Sequence, residues 1–264
     1  MVLAMRTIRQ FFPSLSFVHS MREKGMRHSK EYLKPCSSKL HWEEPLRNTM
    51  VEARYVEVQH LGVVPYQTAM KQMKELQAKR IDDEIPDTLL ILEHPEIVTV
   101  GPRARNDGIA PPEGYATQAV DRGGGLTWHG PGQLVAYPIF KWNLEGEDSV
   151  AAIIERIEGW VIEALQACSI ASGRDSRMQG VWVDGKKICS IGLSFLRWTS
   201  RHGFTINIDT PTGRVEGIAG CGLDQATTTC INQLGHSLTH EAILSALLNT
   251  METSLSRHLE QSLL

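Results

Sequence analysis

The segment from Asp121 to Gln133 reads DRGGGLTWHGPGQ, and six of its thirteen residues are Gly or Pro. Such a backbone can come close to a ligand and adopt positive φ. Arg122 and His129 bring polar groups to it and Trp128 brings a flat apolar wall. A long hairpin loop whose glycines serve only turn geometry has the same composition, so spacing alone leaves both readings open. Thiols supply the second kind of chemistry. Cys221 lies between Gly220 and Gly222 and reads as an accessible loop thiol, while Cys189 follows Lys187 by two residues and, in a strand, would share a face with that amine. A thiolate is a strong nucleophile and a nearby ammonium favours it, so both thiols are candidates. His129 and His202 are alternative bases for such a thiol, or loop histidines that hydrogen-bond locally. Cys168 falls in a helical apolar stripe and is expected to be a buried small hydrophobe, Cys230 to be structural, and Cys36 to lie outside the folded domain.

Two other patterns lose on physical grounds. Gly180 to Lys186, GVWVDGK, matches the start of a phosphate-binding loop, but Lys187 follows where Ser or Thr belongs. Val-Trp-Val is moreover a strand-forming run, unsuited to exposing backbone N–H groups around a phosphate. Cys221, Cys230, His236 and His240 suggest zinc, but the cysteines stand nine apart where a gap of two to four is usual. No metal is expected, and His240 is placed in the first turn of a helix.

The elements that must position these groups are legible from periodicity. Tyr66, Ala69, Met70, Met73 and Leu76 give a helix over about 65–79. Thr88–Leu92, Ile97–Val100 and Leu134–Ile139 read as strands. Ile153 to Cys168 forms an amphipathic helix capped by Asp148 or Ser149. Gly180–Val183, Lys187–Leu193 and Phe204–Ile208 are strand-like, with Asp184-Gly185 as a hairpin turn. A last helix runs through Ile243, Leu247 and Met251, capped by Thr239 with Leu238 packed behind it. Interspersed helices and strands with a tight hairpin predict an α/β fold of the mixed α+β kind.

Composition sets the limits. The chain has 264 residues, 42% hydrophobic and 22% charged, with a net charge of −3. These values suit a globular protein and exclude a coiled coil, a collagen or a chain whose main partner is nucleic acid. No apolar run reaches the length of a membrane span. Five scattered cysteines suit a reducing compartment. Residues 1–52, with nine Lys or Arg against four Asp or Glu in the first fifty, read as a basic leader or N-terminal extension, either a disordered or targeting segment or sequence read from too early a start, ahead of a domain expected over 53–264. A cytoplasmic location is expected, or the mitochondrial matrix if the leader is a transit peptide.

Taken together, the glycine-rich string, LEHPEIVTVG at Leu92–Gly101, GVWVDGKKICSIG at Gly180–Gly192, RWTSRHGFTINI at Arg197–Ile208 and CGL at Cys221–Leu223 resemble the lipoyl(octanoyl) transferase family over about Arg54 to Leu248. The resemblance implies a fold like that of biotin and lipoate protein ligases. It also implies transfer of an octanoyl group from octanoyl-acyl carrier protein to a lysine of lipoyl domains, those of 2-oxoacid dehydrogenases and the glycine cleavage H protein, by a monomer. Cys221 is implied as the acyl-accepting nucleophile and Lys187 as its activator, with Lys186 facing solvent. The acyl site is implied to comprise Arg122, Gly123, Gly124, Gly125, Leu126, Thr127, Trp128, His129, Ser190, Ile191, Gly192, His202, Gly203, Phe204 and Thr205. No cofactor is implied, because passing an acyl group from a thioester to an amine is downhill. The alternatives are an ATP-dependent lipoate or biotin-type ligase and a non-catalytic module that binds acyl carriers or lipoyl domains.

Overall fold

The structure is a computed structural model that describes residues 54–218 and 227–260. The basic leader, Cys36 and Cys221 lie outside the described residues.

Strands β1 (Tyr55–Val63), β2 (Asp87–Glu93), β6 (Gln133–Ile139), β7 (Val181–Val183), β8 (Lys186–Leu196), β9 (Thr199–Asn207) and β10 (His258–Leu259) form one sheet in the order β10-β1-β2-β6-β9-β8-β7. The β10, β1 and β2 pairings are parallel and the rest antiparallel, so the sheet is mixed as expected. A second sheet, β4-β3-β5, comprises β4 (Thr117–Ala119), β3 (Ile97–Val100) and β5 (Leu126–His129).

Helices cover both faces of the large sheet, which explains why its central strands read as continuous apolar runs. Along β2, Leu89 and Ile91 point to the core beneath α3 (Val150–Ala167) and α4 (His240–Leu255), whereas Leu90 and Leu92 point to Ala69 and Met73 of α1 (Tyr66–Ile81). In β6, Leu134 and Ala136 alternate in the same way with Val135 and Tyr137. Ser149 caps α3 by accepting a hydrogen bond from Ala152 N at 3.1 Å, and Thr239 caps α4 through Ala242 N at 3.2 Å. No helix among the described residues is long and apolar enough to cross a membrane.

Several expectations need correction. Leu126–His129, inside the glycine-rich segment, is strand β5 paired antiparallel with β3, so only its flanks are loop and turn. Strand β1, which alternates only weakly, and the short helix α2 (Pro102–Asn106) were not anticipated. Cys168 is the C-cap of α3 and only partly buried, because the helix ends before its side chain can turn under the stripe. Lys186 is half-buried at the start of β8 instead of facing solvent.

Candidate active site

The glycine-rich segment lies along β8. Gly123 N donates to Leu193 O at 2.8 Å, and a Cβ on Gly192 would meet Gly123 O at 2.9 Å and Arg122 Cδ at 3.0 Å. A side chain at 192 would therefore lift the loop off the strand. Arg122, buried, holds the loop from within: its Nη2 donates to Thr99 Oγ1 at 2.6 Å and to Gly125 O at 3.1 Å.

Between this loop, β5, α3, β8 and β9 lies a cleft of about 600 Å³. Arg122, Gly123, Gly124, Gly125, Leu126, Thr127, Trp128, Lys187, Ser190, Ile191, Gly192 and Thr205 all line it. Trp128 forms one wall, fixed by donation from its Nε1 to Glu96 Oε1 at 3.0 Å. His129, His202 and Gly203 lie behind, on a cavity of about 20 Å³ that shares Arg122, Ser190 and Gly192 with the cleft. Phe204 touches that cavity too, but its ring packs edge-on against Trp160 in the core, 5.5 Å between centroids. Thus the strings noted in the sequence converge on one place, apart from Cys221, which lies outside the described residues.

Lys187 is the one lysine lining the cleft among the described residues, 6% exposed, and burial pulls its pKa down to about 8. Cys189 does not share its face. Opposite β7, Lys187 pairs with Trp182 and Cys189 with Val181, so Ile188 is an extra residue that forms a bulge and breaks the alternation. Ile188 and Cys189 both enter the core while Lys187 and Ser190 meet the cleft. Burial pushes the Cys189 thiol up to about 12, which removes it as a nucleophile. Cys230 is also buried, and burial raises the Cys168 thiol.

Residues 227–229 are tied to this lysine's backbone. Lys187 N donates to Thr227 O at 2.9 Å and Thr229 N donates to Lys187 O at 3.0 Å. An amide relay supports it from below: Gln133 Nε2 donates to Asn207 Oδ1 at 2.9 Å, and Asn207 Nδ2 donates to Thr229 O at 3.0 Å. Gln133, Asn207, Ile218 and Thr228 line the cleft as well. Sequence reasoning passed over Gln133 and Asn207, since lone amides inside strands give no signal.

Behind the cleft, three histidines and two tyrosines form a buried polar cluster. The Tyr66 hydroxyl donates to His202 Nδ1 at 3.2 Å, and His202 Nε2 donates to Asp121 Oδ1 at 2.9 Å. His94 Nδ1 donates to Val64 O at 2.6 Å and its Nε2 accepts from the Tyr137 hydroxyl at 2.8 Å. His129 Nδ1 donates to Gln133 Oε1 at 2.9 Å, with its Nε2 3.2 Å from the Thr99 hydroxyl. With each ring neutral, one nitrogen donates and the other accepts, so both ring nitrogens of all three histidines have partners. Burial accordingly brings His94 and His202 down to about 4, and His129 well below its ordinary value. Burial alone would raise Asp121, but hydrogen bonds from His202 and Arg201 prevail and bring it to about 2. Tyr66, His94 and Tyr137 were not among the predicted site residues.

The string that resembled a phosphate-binding loop is a hairpin. Asp184 and Gly185 both have positive φ and turn β7 into β8. His240 opens α4, 3.1 Å from Glu93 Oε1, and no metal-binding group of His, Cys, Asp or Glu occurs among the described residues.

A family profile described as the lipoyl protein ligase A/B catalytic domain matches residues 65–252. The octanoyltransferase of Acidothermus cellulolyticus is 41% identical over 187 residues, covering 69% of this chain and 83% of that protein. That of Corynebacterium glutamicum is 36% identical over 215 residues, covering 78% and 84%. Among solved structures, a bipartite lipoate protein ligase from Thermoplasma acidophilum superposes with a TM-score of 0.55 at 12% identity, covering 79% of this chain and 86% of that one, a likeness of fold. With its fold, its cleft and its matched length in agreement, the chain belongs to the lipoyl protein ligase A/B catalytic domain family, among the octanoyltransferases.

Proposed function

We propose that this acyltransferase moves an octanoyl group from octanoyl-acyl carrier protein to a lysine of lipoyl domains through a thioester on Cys221, with Lys187 handling the proton, as a monomeric cytoplasmic enzyme. The observation that carries the reading is the buried Lys187 amine on the cleft, brought to about 8. Ile218 and Thr228, three residues before and seven after Cys221 in the sequence, line the same cleft. The burial of Cys189 and Cys230 further supports Cys221.

In the first half-reaction the Cys221 thiol gives its proton to the Lys187 amine and the thiolate attacks the octanoyl thioester. The carrier thiolate leaves and takes up that proton. In the second, the acceptor lysine's amine attacks the Cys221 thioester, an amide forms, and the departing thiolate recovers a proton as the nitrogen loses one. Near a pKa of 8 the amine can both accept and return a proton close to neutrality, which is where general acid–base catalysis works best. The glycine loop, Trp128 and Ile191 form the walls for the chain, and the histidines behind them are neutral.

Transfer from octanoyl-acyl carrier protein to a lipoyl domain, measured without ATP, tests the assignment. Lys187→Ala should slow it by roughly 10²–10⁴-fold and His202→Ala far less. A severe loss confined to the histidine variant would move the base to His202, and an absolute requirement for ATP would instead indicate adenylation.

A further inference from the structure

Glu158 is a buried carboxylate to which neither the sequence nor the proposed chemistry assigns a part. It lies on α3, 4% exposed, a position expected to be apolar on a helix face packed against the sheet. Both oxygens are engaged: Oε1 accepts from Gly180 N at 2.7 Å, and Oε2 from Arg174 Nε at 2.8 Å. Gly180 is the residue over which the Lys187 stem lies. At φ +128° it is in a region that favours glycine, and a Cβ there would meet Lys187 Cε at 2.7 Å and Cys189 O at 2.2 Å.

We infer that Glu158 is a positioning residue that fixes the Lys187 amine in the cleft, by anchoring the Gly180 peptide beneath the lysine stem and by presenting the buried negative charge that faces it. Its relevance to transfer rests on the role proposed for Lys187. The placement itself does not. Burial lowers Lys187 most, with Arg122 acting in the same direction; Cys189 on the same strand and, after it, the Glu158 carboxylate act the other way, and Arg177, paired with Asp175, also lines the cleft. Arg174, half exposed, partly offsets the Glu158 charge from the solvent side.

Gln at 158 keeps an oxygen for Gly180 N and removes the charge. Competitive labelling of the full chain with an amine-reactive reagent across pH, read at the Lys187 peptide by mass spectrometry, gives that lysine's titration midpoint whether or not it is catalytic. Glu158→Gln should lower the midpoint by about one unit, since an opposite charge that favoured the ammonium is gone. Arg174→Gln, which leaves the Glu158 charge less offset, should raise it by a smaller amount. A wild-type midpoint in Glu158→Gln overturns the inference. Should that variant fail to fold, Arg174→Gln decides: an upward shift supports it and an unmoved or lowered midpoint overturns it. If the midpoints move as stated but Lys187→Ala transfers at the wild-type rate, the positioning stands and the proposed chemistry falls.

Discussion

Around Arg257 the fold buries paired charges, whereas around Tyr66, behind the cleft, it buries polar rings that carry almost none. Arg257 Nη1 lies 2.6 Å from Glu147 Oε1 and its Nε 2.9 Å from Asp87 Oδ2, while Arg80 Nε lies 2.6 Å from Asp87 Oδ1. All four side chains are almost wholly buried, and Arg257 also lies over the rings of Phe140 and Trp142. The cluster joins the end of α4, the start of β2 and the turn before α3. Behind the cleft, by contrast, His94, His129 and His202 have hydrogen-bond partners but too little opposite charge to offset desolvation, and they go neutral. Lys187 follows the same rule to a lesser degree. Compensated charge fixes elements together; uncompensated burial shifts titrations toward the range where chemistry is done.

The contrast breaks most visibly at Arg257. Arg257→Ala leaves Asp87 and Glu147 buried without their cation and should cost about 3–5 kcal/mol in urea unfolding, with transfer per folded molecule unchanged. A loss below about 1 kcal/mol would mean that the cluster fixes nothing.

Acid sharpens the other side. His94 and His202 sit near 4 in the fold against about 6.5 in the unfolded chain, so the unfolded state takes up protons first as pH falls. Stability from their neutral rings is complete above 6.5 and is lost between 6.5 and 4, by about 1–3 kcal/mol for each. His94→Gln should flatten that stretch of the stability profile, and an unchanged slope would contradict neutral burial. Lys187 follows the same linkage in a higher window: its lowered value disfavours in the fold the ammonium that the unfolded chain already holds at pH 7, so Lys187→Ala, though impaired in transfer, should lose little stability there.

Much of this was legible before any coordinates. Helices α1, α3 and α4 announced themselves by apolar spacing and caps, because each buries one stripe against a sheet. The strings carrying Arg122, Lys187 and Gly192 were identified and do meet at one cleft. What escaped depended on distant pairing. Strand β1 alternates weakly since much of it is exposed, and the β8–β9 turn passes through Arg197 and Trp198 at positive φ with no Gly or Asn to mark it. The shared face expected for Lys187 and Cys189 failed because a bulge is set by the register with β7, invisible from one strand. Tyr66, Tyr137 and Glu158 looked like ordinary members of their elements, and only the fold brings them to the site.

Intact mass and peptide mapping after incubation with octanoyl-acyl carrier protein, in the absence of acceptor, test the thioester most directly. One octanoyl group should appear on the peptide containing Cys221, be released by hydroxylamine, and not form in Cys221→Ser. An octanoyl group mapped to Cys189, or none on any cysteine while transfer proceeds, would contradict the account.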